Sequence, residues 1–107
     1  MKIVYAGTYL EMLAGLLVHN DEIEFLIKET IVLFQNNPSD TRLRVHPLTR
    51  RLKGKWGMGV LGDKSGDMRV VFEWLGVGTV RFLGIGSHTV VYGKKKMEKY
   101  TALSKNY

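Results

Sequence analysis

From Lys55 onward apolar residues recur with a period of two, and this limits the fold more than any other feature. Trp56, Met58 and Val60 alternate with Gly57 and Gly59, which predicts a strand with one bare face. Gly62-Asp63-Lys64-Ser65-Gly66 reads as a turn. Met68, Val70, Phe72 and Trp74 then alternate with Arg69, Val71 and Glu73, and Gly76-Val77-Gly78 marks a second turn before a strand from Thr79 to Ile85. Consecutive strands joined by short turns make an antiparallel meander.

The first part of the chain has a different period. After a short β-type run, Lys2 to Tyr5, Thr8 and Glu11 have the spacing of a capping box. Leu10, Leu13, Ala14 and Leu17 follow at helical spacing. Asn20 suits the cap of a second helix, with Asp21 and Glu22 at its positive end. Ile23, Leu26, Ile27, Thr30, Ile31 and Phe34 make one stripe, and Pro38 ends it by disfavouring helical geometry at Asn37. The expected fold is α+β: an N-terminal helix hairpin packed on one face of a small, mostly meander antiparallel sheet. Residues 1–92 are expected to form a single domain and 93–107 a basic tail. Met97, Tyr100 and Leu103 give that tail the spacing of a short helix, with a frayed end as the alternative.

Between these halves lies Thr41 to Trp56, TRLRVHPLTRRLKGKW, read as mostly loop through Pro47. It holds Arg42, Arg44, Arg50, Arg51, Lys53 and Lys55, one histidine and no acid. Leu43, Val45, Leu48 and Leu52 are interleaved and Trp56 can anchor the end, so the stretch is a basic segment fastened to a folded body. Charge is divided the same way. Residues 1–40 carry two bases and six acids, and residues 41–107 carry fourteen bases and four acids. An anionic partner is therefore expected for the second half.

Other classes are set aside on composition. The 107 residues suffice for one modest core. No cysteine is present, which excludes disulfides and thiolate metal sites and fits a reducing cytoplasm. Glu11 interrupts the N-terminal apolar run and no small-residue cleavage site follows, so no signal peptide is expected. No uncharged run approaches a membrane span. Gly57-Met58-Gly59-Val60-Leu61-Gly62 matches the dinucleotide fingerprint, but a turn and a strand follow it instead of a helix. Those glycines are read as backbone room on a strand face, and no cofactor is expected. His19, His46 and His88 lack paired ligand spacing, so no metal is expected. Lone histidines are usually structural or merely exposed, and His19 reads as a loop residue between the helices. Arg69 either pairs with a glutamate across strands or is a guanidinium held rigidly for a phosphate.

The runs NPSDTRLRVHPLTRRLKGKW, DMRVVFEW and RFLGIGSHTVVY, in this order, resemble the RelE/ParE superfamily of bacterial toxins. Within it they look most like the RelE, YafQ and HigB-like branch, and KIVY with the helix hairpin ending in FQNNP is similar too. The similarity spans roughly residues 2–92. It implies a RelE-like microbial RNase fold, metal-independent cleavage of mRNA, usually in the ribosomal A site, and control by a cognate antitoxin. It implies a catalytic role for His88, placed before the terminal aromatic Tyr92, and for the strand arginine Arg69. Lys53 and Lys55 match the basic LKGxW segment, while His46 and Asp67 match positions used in the YafQ-like branch. That branch has a further histidine with no counterpart here; Asp63 lies nearby instead.

RNA carries its own nucleophile, the 2′-hydroxyl. The enzyme must take that proton, protonate the leaving 5′-oxygen and stabilise the phosphorane. Histidine can do either proton task. The expected roles are His88 as acid or base with His46 or Asp67 as counterpart. Arg69, Lys53 and Lys55 would hold phosphate charge, and Tyr92 would stack on a base or position the phosphate. Arg44, Arg50, Arg51 and Arg81 are the expected further substrate contacts. Two alternatives remain: a ParE-like inhibitor of DNA gyrase on the same fold, and a module that holds RNA without cutting it.

Overall fold

A computed structural model of the chain describes residues 1–18 and 20–106. Its elements are β1 (Lys2–Tyr5), α1 (Gly7–Leu17), α2 (Asp21–Asn36), β2 (His46–Pro47), β3 (Trp56–Gly59), β4 (Met68–Gly76), β5 (Thr79–Ser87), α3 (His88–Val91) and α4 (Lys94–Asn106). Short 3-10 turns at Thr41–Leu43 and Arg50–Leu52 flank β2. His19, expected in the link between the helices, lies outside the described residues.

The five strands are ordered β1-β5-β4-β3-β2. The meander of β3, β4 and β5 is antiparallel, as the alternation predicts. The additions are at the two edges. β1 pairs parallel to β5, with Ile3 opposite Val80, so the sheet is mixed. A parallel neighbour needs a long crossover, and the helix hairpin begins that connection. At the other edge β2 interrupts the expected loop, pairing His46 with Gly57 and Pro47 with Trp56. Pro47 has no N–H to give, which an edge strand tolerates.

The α2 helix begins as expected, with the Asn20 side chain accepting the Ile23 N–H at 3.1 Å. The start of α1 corrects the capping-box reading. Ala6 occupies the cap position without a side-chain bond, and Thr8 lies inside the first turn. The Thr8 hydroxyl donates instead to the Leu83 carbonyl of β5, so a tertiary acceptor has replaced the local one.

Tyr9, Met12, Ile27 and Phe34 of the hairpin are buried, as are Val70, Phe72, Val80, Phe82 and Ile85 of the sheet. Phe34 meets Phe72 edge-on at 5.1 Å between ring centres, and Tyr9 meets Phe82 at 5.4 Å. The opposite face is covered as well. Val71 is fully buried there, opposite Gly84. The covering element is α4, whose Tyr100 is fully buried with its hydroxyl 3.7 Å from the Met12 sulfur. Burial, and after it the neighbouring Tyr92, pushes the Tyr100 hydroxyl up to about 12. Among the described residues no helix is long and apolar enough to cross a membrane.

Gly84 is what lets α4 dock. A Cβ there would overlap the Tyr100 hydroxyl and lie 2.7 Å from its Cζ. Gly84→Ala is expected to cost about 2 kcal/mol by overpacking, read from the urea midpoint. Adding Tyr100→Phe removes the nearest clashing atom and should restore part of the loss. Unchanged stability in Gly84→Ala would show that α4 does not pack on this strand.

Candidate active site

Four segments bring the site together: β2, the turn after it at Arg50–Leu52, strand β3 beneath them, and α3 with the first turn of α4. They enclose an open cleft of about 780 Å³ whose lining includes His46, Leu48, Arg50, Arg51, His88, Tyr92 and Met97. Its floor is the bare face of β3. A Cβ on Gly57 would lie 3.2 Å from the Tyr92 hydroxyl, 3.2 Å from Leu48 Cδ2 and 3.3 Å from His46 Cε1. The Tyr92 hydroxyl, Leu48 and the His46 ring therefore converge over a side chain that is not there.

His46 is exposed, and its Nδ1 lies 2.7 Å from the Arg44 carbonyl oxygen. A carbonyl can only accept, so Nδ1 carries the proton of that bond. In the neutral ring this leaves Nε2 as the lone-pair nitrogen. The carbonyl is aimed by Arg44 itself, which sits in the left-handed region with φ 52° at the end of the 3-10 turn. Asp40 starts that turn by accepting the Arg42 N–H at 2.9 Å and pairing with the Arg42 guanidinium at 3.0 Å. The pairing holds the Asp40 carboxyl below its usual range through side-chain and backbone bonds.

His88 begins α3 and is exposed. Its ring meets that of Tyr92 edge-on at 4.7 Å, and its N–H donates to the Asp67 carbonyl at 3.0 Å. Asp67 is thus beside His88 through its backbone, while its residue is exposed to solvent. Tyr92 is partly buried. That burial raises its hydroxyl, and the positive charge of Arg69 works the other way. Asp63 has a structural task. Its carboxylate accepts the Met68 N–H at 2.8 Å and the Ser65 N–H and hydroxyl. Burial works to raise the Asp63 carboxyl, but these bonds overcome it and hold it low.

The basic residues named from the sequence divide into three groups. Arg44, Arg50, Arg51 and Lys53 are exposed. Arg50 and Arg51 line the cleft, and Lys53 is one residue past the turn that carries them. The Arg69 Nη1 is held by the Gly66 and Met68 carbonyls at 2.6 and 3.0 Å. Lys55 and Arg81 are instead buried against Glu73. Arg81 Nε donates to Glu73 at 3.0 Å and Lys55 Nζ is 4.0 Å from it. Neither lines the cleft. Met97 and Leu48, read in the sequence only as packing residues, also line it. The bare β3 face was the signal that something must fill it. Among the described residues no group of three or more histidine, aspartate or glutamate side chains could hold a metal ion.

No family model and no curated protein matches the chain. Solved structures do. YafQ from E. coli is similar with a TM-score of 0.67 and 23% identity, covering 86% of this chain and 98% of that one. The E. coli DinJ-YafQ complex matches at 0.67 and 21% identity, over 86% of this chain and 98% of that one. A YoeB/ParE toxin from Agrobacterium tumefaciens matches at 0.66 and 17%, over 82% of this chain and 99% of that one. The chain therefore shares the fold of these toxins, and the placement of its site residues stands on its own geometry.

Proposed function

We propose that this chain is the toxin of a toxin–antitoxin pair and a metal-independent endoribonuclease acting on mRNA in the cytoplasm. The observation that carries this reading is the convergence of His46 and Tyr92 on the bare Gly57 of a basic cleft, with His88 against the Tyr92 ring. Two histidines on one cleft can divide the acid and base work. His46 takes the 2′-proton at Nε2, since its Nδ1 is bonded to the Arg44 carbonyl. The 2′-oxygen attacks phosphorus, and His88 gives the leaving 5′-oxygen its proton. The Asp67 carboxylate is the alternative counterpart of His88. Arg69, held through Nη1 by two backbone carbonyls and near enough to Tyr92 for its charge to act on that hydroxyl, offsets the charge that builds on the phosphorane. Tyr92 keeps its proton through burial and serves as a neutral donor to the phosphate. Arg50, Arg51 and Lys53 track the RNA backbone on the cleft rim. Lys55 and Arg81 serve the reaction only by supporting the sheet.

The solved DinJ-YafQ complex supports a protein partner for the fold, and an acidic antitoxin segment suits this basic cleft. The resemblance to the RelE branch supports mRNA on the ribosome as the substrate. The test incubates the chain with mRNA, with and without ribosomes, in the presence of a chelator. The expected products end in a 2′,3′-cyclic phosphate and a 5′-hydroxyl. Intact mRNA in both arms would overturn the reading, and inhibited supercoiling in a parallel gyrase assay would replace it.

A further inference from the structure

The glycines of Gly57-Met58-Gly59 do more than clear space for the histidine and tyrosine. Gly59 is buried, and what lies on it is the guanidinium of Arg44. A Cβ on Gly59 would lie 2.8 Å from Arg44 Nη2, 3.3 Å from Nε and 3.4 Å from Cζ. One edge of the guanidinium thus rests along the glycine backbone. The Arg44 backbone is left-handed, a conformation that few residues other than glycine adopt, and it ends the turn that Asp40 starts.

The cross-strand partner of Gly59 is Arg69. Opposed positions on one face of an antiparallel pair are close neighbours. Two arginines therefore come to adjoining places on the same sheet face. No carboxylate pairs with either among the described residues. Like charges at adjoining positions repel, and an anion that takes up both lowers the repulsion. Two residues along β3, roughly 7 Å away, Gly57 carries the histidine and tyrosine. That is about one nucleotide step of a single strand.

We infer that Arg44 grips a second phosphate of the RNA, one nucleotide from the reacting one, and that Gly59 is its seat. The anion's identity rests on the ribonuclease reading above. Arg44 thereby has two tasks: its carbonyl sets the proton on His46, and its guanidinium fixes the register of the strand beside it. Gly59 is a positioning residue that acts through Arg44.

The probe is a fluorescent single-stranded hexaribonucleotide with 2′-O-methyl groups throughout, which cannot be cut. Its affinity is measured against salt concentration. Arg44 is exposed, so Arg44→Gln does not endanger the fold. It should weaken binding about tenfold at low salt and shallow the log–log salt slope by about 0.7, one phosphate contact on a single strand. Arg44→Lys should keep the slope. Gly59→Ala should weaken binding several-fold in the parent and not at all in Arg44→Gln, with thermal unfolding confirming that both fold. An unchanged slope in Arg44→Gln overturns the inference. So does a Gly59→Ala loss of the same size with and without Arg44. A parent chain that ignores the hexanucleotide at low salt removes the ribonuclease reading as well, and that result differs from tight binding indifferent to Arg44.

Discussion

Replacing either His46 or His88 by alanine is expected to slow RNA cleavage by about 10²- to 10⁴-fold while changing RNA affinity only several-fold. The asymmetry follows from where the rings sit. Both residues are exposed on the cleft, so their loss removes proton transfer without opening the core. Single-turnover cleavage separates the two effects, because binding and the chemical step are then read independently. The two roles are separable by pH. A base must be unprotonated to act, so His46→Ala should abolish the fall in rate on the acid side. An acid must be protonated, so His88→Ala should abolish the fall on the alkaline side. The double variant should be little slower than the worse single one, since each ring is useful only while the other works. Full cleavage by both single variants would leave the mechanism without its acid and base. A variant that loses binding in proportion to rate would instead make that histidine a substrate contact.

The strands of the meander were legible because inward side chains recur every second residue, and that recurrence survives whatever packs on them. The helix starts were legible only where the cap is local. Asn20 bonds three residues ahead, as its sequence position suggests, whereas Thr8 has the same kind of spacing and spends its hydroxyl on Leu83. Nothing in Lys2–Tyr5 states a direction, so the parallel pairing of β1 with β5 had no sequence signal. The tail shows a related limit. Three lysines in its first turn suggest solvent, yet Tyr100 is buried because Gly84, sixteen residues earlier, leaves room for its ring.

The site was legible as a set of residue types and only partly as a place. His46 lies more than forty residues before His88 and Tyr92, yet all three line one cleft, while Asp67 reaches it through the His88 backbone and Arg69 through its charge on Tyr92. The basic residues could not be sorted from composition, because a lysine's sequence does not show whether a carboxylate faces it. Register decides that. Glu73 stands opposite Arg81 on the neighbouring strand, and Lys55 reaches the same carboxylate from the chain before β3.

That carboxylate carries the largest expected effect on stability. Glu73 is 7% exposed, Arg81 8% and Lys55 7%, so all three charges are withdrawn from water. Glu73 accepts from Arg81 Nε at 3.0 Å and lies 4.0 Å from Lys55, and Arg81 also donates to the Leu103 carbonyl of α4 at 3.3 Å. Glu73→Ala removes the buried carboxylate that Arg81 and Lys55 share. Removing one partner of a buried pair costs about 3–5 kcal/mol, against a total stability of about 5–15 kcal/mol. The urea midpoint should fall steeply with the slope unchanged, which marks a loss of stability and not of compactness. Arg81→Met in the Glu73→Ala background should recover part of the loss by removing one of the two buried cations. Because Arg81 ties the sheet to α4, the amides of α4 should exchange faster in Glu73→Ala than those of α2. A loss below about 1 kcal/mol, the size of a surface pair, would show that water reaches these groups and that the sheet's second face is not closed.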